Sequence, residues 1–418
     1  MTTTSPGLSV AVPGLPDGFP AGTVEPDYVV TEALGTDPAS VFASIGEEDR
    51  AYWDRARAFA QDEVLPVIDG YWERGEYPLH LLERLGQQDL LRDGVAVDGF
   101  APMSSMAAGL VNMEISRGDG SVATMIAVQG GLALRSIAGC GSAAQKARWL
   151  PAIAGGKEYA AFALTEPTHG SDSVALESTA TRTDGGFLLN GEKKWIGNGS
   201  VGGVTVVWAR GGDGQVHGYL VPQDSPGYTA TKIEGKLALR AIWQAHIRLE
   251  DVFVPDANVL PGARTFKDTA RVLLATRLGV AWSAVGHATA CYETAVQYAR
   301  QRRQFGRPLA ASQIVQERLA RMLSELATMQ LMVVQMTRLD EAGTLTPEQA
   351  SLAKYTCTRI ARGIAANARD LLGGNGILLA NRVARHLADI EAIHTYEGTE
   401  TMQALIIGRG ITGTSAFA

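Results

Sequence analysis

Apolar positions recur at helical spacing over two long stretches of the chain, and between them lies a stretch of a different character. In the first, residues 38–157, Trp53, Ala56, Phe59 and Ala60 share one face. Leu65, Val67 and Ile68 follow, then Leu81, Leu82, Leu85, Leu90 and Leu91. Residues 103–113 and 143–153 carry similar stripes, with Gly94, Gly99, Gly139 and Gly141 as punctuation. Over residues 159–260, short β-forming runs alternate with turns at Asp184-Gly185, Asn190-Gly191 and Gly211 to Gly214. Asn-Gly and Asp-Gly favour tight hairpins, because their positive φ angles match the twist of the flanking strands. Helical periodicity returns from Thr265, with Ile314, Val315, Leu319, Met322, Leu323 and Leu326 as one stripe. Thr346-Pro347-Glu348-Gln349 reads as an N-cap, a proline at the first helical position and a glutamine at the third; the helix it opens should stop at Gly373-Gly374.

The pattern predicts an α+β protein in four parts. They are an extended arm over 1–36, a helical domain over 37–158, an antiparallel, barrel-like β-domain over 159–262 and a C-terminal helical bundle over 263–418. Five prolines between Pro6 and Pro26 keep the arm from forming a helix.

Composition narrows the function. Of 418 residues, 46% are hydrophobic and 19% charged, enough apolar material for a large core. The formal net charge is −7, which argues against non-specific nucleic-acid binding. Cys140, Cys291 and Cys357 are too few and too scattered for a disulfide framework and read as buried thiols in a reducing compartment. The first basic residue is Arg50, so the N-terminus carries neither the charged region of a secretory signal nor a transit peptide's arginines. The longest apolar candidate for a membrane span, residues 272–290, is broken by Arg277 and His287. The expectation is a cytoplasmic, membrane-free protein.

The chain has no GxGxxG after a strand, no GxxxxGK[ST], no GxSxG and no HExxH. One ExxH, Glu391 to His394, lacks the second copy that a di-iron bundle needs, so no metal site is expected. Five other segments stand out: 162–172, 190–199, 302–306, 370–376 and 396–399. Singly, each has a plain structural reading. These are a strand exit, a core tryptophan at Trp195, cations at a helix C-terminus, a glycine-rich cap and a solvated loop acid.

In this order, on a helical–β–helical layout, the segments resemble the acyl-CoA dehydrogenase family of flavoproteins, from about residue 38 to Phe417. Within it the chain is most similar to the glutaryl-CoA dehydrogenase branch and the plant peroxisomal short-chain acyl-CoA oxidases. The resemblance implies FAD between the β-domain and the C-terminal bundle. Phe162, Ala163, Leu164, Thr165, Gly170 and Ser171 would wrap the flavin and its pyrophosphate, and Trp195, Ile196 and Gly197 would line the ring. Arg302, Phe305, Gln313, Asp370, Leu371, Leu372, Gly373 and Gly374 match cofactor positions, most of them reached across a subunit boundary, which implies a homodimer or homotetramer. Thr399 falls among the cofactor positions as well. Thr124, Ser171, Arg277 and Gly398 would lie along the acyl-CoA substrate. Glu397 aligns with the catalytic base, and electron-transfer flavoprotein would be the oxidant. The chemistry has its own logic. Abstracting a proton beside a thioester needs a carboxylate in a dry pocket, where burial raises its pKa toward neutrality. The thioester oxygen then needs donors, here expected from the Glu397 backbone and a ribityl hydroxyl of FAD.

Three departures from the family pattern matter. Ala123 stands where glutaryl-CoA enzymes place an arginine, which points to a short or medium acyl chain without a distal carboxylate. Gly197 stands where dehydrogenases commonly carry a threonine, which keeps an oxidase passing electrons to oxygen as the alternative. His169 and Ala380 replace small and polar residues, respectively. A non-catalytic or DNA-binding member of the fold is the remaining alternative, disfavoured by the acidic charge and the intact Glu397.

Overall fold

The structure, a computed structural model, describes residues 35–416; the expected arm lies outside the described residues except at Gly35 and Thr36. In the first domain α1 (Glu47–Phe59) passes through a π-helical turn at Ala60–Val64 into α2 (Leu65–Arg74), followed by α3 (Leu79–Gln87). Ser104 then caps α4 (Ser105–Gly118) by accepting from the Ala107 N–H. Asp119 caps α5 (Gly120–Ile126), which runs through a π-helical stretch, Ala127–Leu134, into α6 (Arg135–Cys140). Finally, α7 (Ala143–Ala154) opens with a Ser142–Gln145 capping box. Every residue of α4 from Met106 to Gly118 is buried, so α4 is the helix around which this domain packs.

The segment Gly120–Cys140 is long and apolar enough to cross a membrane, which the sequence reading did not anticipate. Most of it is packed inside the protein, so its hydrophobicity serves the core.

The middle domain holds β1 (Ala160–Ala163), β2 (Thr179–Thr183), β3 (Gly186–Gly197), β4 (Val204–Gly211), β5 (Val216–Pro222), β6 (Tyr228–Lys232) and β7 (Gln244–Pro255). They form one sheet in the order β1-β4-β2-β3-β7-β6, with β5 beside β4. Two of the expected hairpin turns fall where the glycines predict, at Gly185 and Gly214, both with positive φ. The third, Asn190-Gly191, is not a turn: both residues lie inside β3, where Gly191 takes φ +141° at a register shift against β7. The sheet is mainly antiparallel, but β4 runs parallel to both β1 and β2, because β1 enters straight from the first domain and not through a hairpin.

The third domain begins with α8 (Phe266–Gln301), capped by Thr265 and Asp268. A small hairpin, β8 (Arg303–Gln304) and β9 (Arg307–Pro308), leads to α9 (Gln313–Glu341), α10 (Pro347–Leu371), α11 (Val383–Thr395) and α12 (Glu400–Thr412). As the sequence predicts, Thr346 and Gln349 form a capping box and α10 stops before Gly373, whose φ is +60°.

Helix α8 ties the domains together. A Cβ on Gly286 would lie 2.1 Å from the Met113 carbonyl of α4, and one on Gly109 would lie 2.4 Å from the Trp282 ring. Only glycine lets α4 and α8 approach this closely. One shared core runs from Leu110 and Met113 through Ala281 and Val285 to Met329, Ala361 and Ile390. The three cysteines are free and buried. Glu391 and His394 pair with Arg362 (2.8 Å) and Glu400 (2.9 Å), which accounts for the lone ExxH without a metal.

Candidate active site

Glu397 sits in the short link between α11 and α12 with φ +52°, a left-handed conformation rare for a side chain that bulky, and Gly398 follows at +88°. Two devices hold this turn. Lys354, buried on α10, donates to the carbonyls of Tyr396 and, at 2.6 Å, Gly398. Gln403 on α12 donates to the carbonyls of Glu397 (3.2 Å) and Gly398 (2.9 Å). A Cβ on Gly398 would lie 2.6 Å from Gln403 Nε2, so this glycine is required both by its φ and by its neighbour.

The Glu397 side chain reaches a small cleft between α4, α5 and α8, lined among others by Asp93, Asn112, Ala123, Thr276, Ser283 and Tyr396. Thr276 Oγ1 donates to Glu397 Oε2 at 2.7 Å. Burial raises the Glu397 carboxyl above its usual range, and the nearby Asp93 adds to this. The Thr276 hydroxyl, Lys354 and Arg277 oppose the rise. Burial likewise lowers the Lys354 ammonium and the Arg277 guanidinium. Arg277 uses one terminal nitrogen on Ser351 Oγ at 3.0 Å, and its buried Nε has no protein partner. Thr124 donates to the Gly120 carbonyl at 2.8 Å.

A second cluster borders this cleft. Phe162, Ala163 and Leu164 are buried at the end of β1, whereas Gly170 and Ser171 are exposed. Trp195 is not a core residue. A register shift in β3 between Lys193 and Ile196 gives it φ +65° and leaves the ring 54% exposed. The bulge turns a flat aromatic face outward at the strand end. Gly197 is buried against the π-helical stretch, where a Cβ would meet Val128 Cγ2 at 2.8 Å, one residue from the cleft-lining Ala127. Beneath the 165–171 loop lies a buried ion pair, Lys193 Nζ to Glu166 Oε1 at 2.8 Å. Burial would raise the Glu166 carboxyl, but Lys193, the Glu177 N–H and the Ser178 hydroxyl outweigh it and hold the pKa at about 2. Lys193 keeps a net burial cost and falls to about 8. His169 rests on the loop, 3.6 Å from Glu166.

A third group stands apart. Arg302 and Phe305 follow the end of α8, Gln313 begins α9, and Asp370 ends α10, paired with Arg318 at 2.6 Å. Phe305 is 99% exposed at φ +51°. Leu371 and Leu372 are buried, whereas Gly373 and Gly374 are exposed. From Thr276 to Gln301, α8 rises roughly 38 Å, so this group does not meet Glu397 within one chain. Thr399 caps α12, accepting from the Met402 N–H.

Sequence reasoning missed Lys354, Asp93 and Asn112, and it placed Thr276 only within a stretch, residues 270–277, expected along the substrate. Lys354 left a signal, since it occupies the apolar face of α10 with Ala350, Cys357 and Ala361, where a cation needs a reason. Asp93 and Asn112 left none, because their loop and helix meet only in three dimensions.

The fold and this site define an enzyme class in which a buried carboxylate on a strained turn faces a small cleft beside a β-domain. The family models for the acyl-CoA dehydrogenase N-terminal, middle and C-terminal domains match residues 46–157, 161–252 and 266–412. An acyl-CoA dehydrogenase of Bacillus subtilis (strain 168) is 33% identical over 365 residues, covering 85% of this chain and 96% of that one. A glutaryl-CoA dehydrogenase structure from Mycobacterium smegmatis superposes with a TM-score of 0.90 at 40% identity, covering 92% of this chain and 99% of that one. A second from the same organism, in complex with FADH2, gives 0.89 at 35%, covering 91% and 99%. This chain belongs to the acyl-CoA dehydrogenase family, the flavin-dependent oxidoreductases.

Proposed function

We propose that the protein dehydrogenates the Cα–Cβ bond of an acyl-CoA thioester whose short or medium chain lacks a distal carboxylate, with FAD as cofactor and Glu397 as base. The observation that carries this is the Glu397 carboxylate, buried in the cleft and held by Thr276 at 2.7 Å.

Glu397 takes the α-proton. Thr276 occupies Oε2, which leaves Oε1 to face the substrate carbon. The raised pKa makes the carboxylate a stronger base than a solvated one. The Glu397 N–H meets no protein acceptor among the described residues and is free to donate to the thioester oxygen as negative charge develops there. The Tyr396 ring and the helix walls exclude water. FAD, when bound, supplies the acceptor for the β-hydride. The residues present fit it. Trp195 offers an exposed ring, Ile196 and Gly197 a close backbone, and Gly170 and Ser171 an open loop, while Phe162, Ala163, Leu164 and Thr165 form the edge of that side. Thr399, the cap of α12, sits two residues from the base. Arg277, whose buried Nε has no protein partner, would lie along the CoA thioester with Thr124, Ser171 and Gly398.

Arg302, Phe305 and Gln313 lie near the far end of α8, roughly 38 Å along the helix from Thr276, and the 370–374 turn follows the end of α10, roughly 26 Å from Lys354. They serve the FAD of a second copy, which makes the working enzyme a homo-oligomer. Electron-transfer flavoprotein is the proposed oxidant. The absence of a Lys or Arg among the cleft-lining residues, together with Ala123, supports the exclusion of dicarboxylates.

Anaerobic butyryl-CoA is expected to bleach the flavin of the wild-type enzyme and not of Glu397→Gln. Faster turnover with glutaryl-CoA than with butyryl-CoA would contradict the chain assignment. Gly197, which cannot offer a hydroxyl to the flavin edge, favours one second reading, an oxidase. Stoichiometric peroxide in air without an added acceptor would establish it.

A further inference from the structure

We infer that the Asp93–Asn112 wall of the Glu397 cleft selects acyl groups bearing a terminal hydrogen-bond donor, a hydroxyl or an ammonium. The inference rests on reading the cleft as the acyl pocket.

One end of the cleft is Glu397, where the thioester must sit; the walls elsewhere carry Asp93, Asn112 and Ser283. Asp93 Oδ1 accepts from Asn112 Nδ2 at 2.7 Å, and Arg135 reaches Oδ2 at 3.3 Å and the Asp93 carbonyl at 2.5 Å. A carboxylate has about four acceptor positions, so these two side-chain donors leave capacity unused. Arg135 is not among the residues that line the cleft. The Asp93 carboxyl therefore has acceptor capacity to spare in the cleft, and the cation that bonds it is not part of the lining.

Helix α8 leaves room for this. A Cβ on Gly279 would lie 3.4 Å from Asn112 Nδ2 and 3.9 Å from Asp93 Oδ1, and one on Gly131 would lie 2.9 Å from Asp93 Oδ2. Bare backbone thus faces the polar pair from two sides. Ser283 adds a hydroxyl, bonded to Ser116 Oγ at 2.7 Å.

The three chain types fare differently here. An alkyl terminus would strip water from Asp93, Asn112 and Ser283 and return no hydrogen bond. A distal carboxylate would face Asp93 with no cation in the lining. A hydroxyl or ammonium would donate to the spare Asp93 oxygen and replace the displaced water.

The test compares CoA thioesters of one chain length on the flavin-loaded enzyme with an artificial electron acceptor: valeryl, 5-hydroxyvaleryl, 5-aminovaleryl and glutaryl. The expected result is a kcat/KM for the hydroxy or amino substrate at least about tenfold above valeryl, with glutaryl lowest. The ratio between the two donor substrates tells hydroxyl from ammonium. Asp93→Ala should reduce the preference for the donor substrate to near unity. Asn112→Leu and Ser283→Ala read the same ratio should that variant fail to fold. Equal or faster turnover of valeryl-CoA, or a preference that survives all three substitutions, overturns the inference. Butyryl-CoA is run beside them. Bleaching by butyryl-CoA without any donor preference sinks this inference alone, whereas no bleaching by any thioester sinks the acyl-CoA reading beneath it.

Discussion

Glu397 works under opposed influences, and each can be removed separately. Burial and Asp93 raise its carboxyl, while Thr276, Lys354 and Arg277 lower it. A base with a raised pKa is protonated at low pH, so the rate should climb as pH rises through that pKa. Thr276→Val removes the donor to Oε2, which should move the acid limb of the kcat profile to higher pH and slow turnover roughly 10-fold to 100-fold by freeing the side chain. Lys354→Met should move it the same way and also loosen the Tyr396–Gly398 turn. Asp93→Asn should move it to lower pH. A limb that stays put in all three variants would mean that Glu397 does not set the profile.

At the scale of elements, the decisive contact is α4 on α8. Gly286→Ala would drive a methyl into the Met113 carbonyl, a backbone atom that cannot turn aside. The expected cost is about 3 kcal/mol, read as a lowered denaturation midpoint. Removing the cap of α10 with Thr346→Ala should cost about 1 kcal/mol, because the Gln349 N–H loses its acceptor. A midpoint shift for Thr346→Ala that equals or exceeds the one for Gly286→Ala would contradict this account of the packing. The bulge in β3 shows how an element can be legible while its geometry is not. The run through Trp195 reads as a strand, and it is one. The alternation cannot reveal that a register shift turns the tryptophan outward, because that shift is set by pairing with β7, whose residues are about fifty positions away.

Over the whole molecule, buried charges join the domains. Arg385 on α11 pairs with Asp119 at 2.5 Å and with Asp69 at 2.6 Å, and Arg117 on α4 pairs with Glu293 on α8 at 2.6 Å. Breaking one partner of such a pair leaves an uncompensated buried charge, so Glu293→Ala should be far more damaging than loss of a surface pair. The Glu166–Lys193 pair adds an acid dependence. With Glu166 at about 2 in the fold and 4.5 as its ordinary value, its contribution is complete above 4.5 and disappears as pH falls toward 2. Glu166→Gln should flatten the fall in stability over that window in an acid titration followed by circular dichroism.

The sequence by itself determined the helical–β–helical layout, the hairpin turns at Gly185 and Gly214, the Thr346–Gln349 cap and the choice of Glu397 as the proposed base. These are written in local signals: hydrophobic period, glycine and proline placement, and a motif next to a glycine. It also carried the substitution of Ala123, which argues against dicarboxylates. What it left open is the environment of the base. Thr276, Lys354, Asp93 and Asn112 come from four separate segments, and their roles exist only where α4, α8 and α10 converge. A pKa, a cleft and its polar wall are properties of distance and burial, and only tertiary packing sets those.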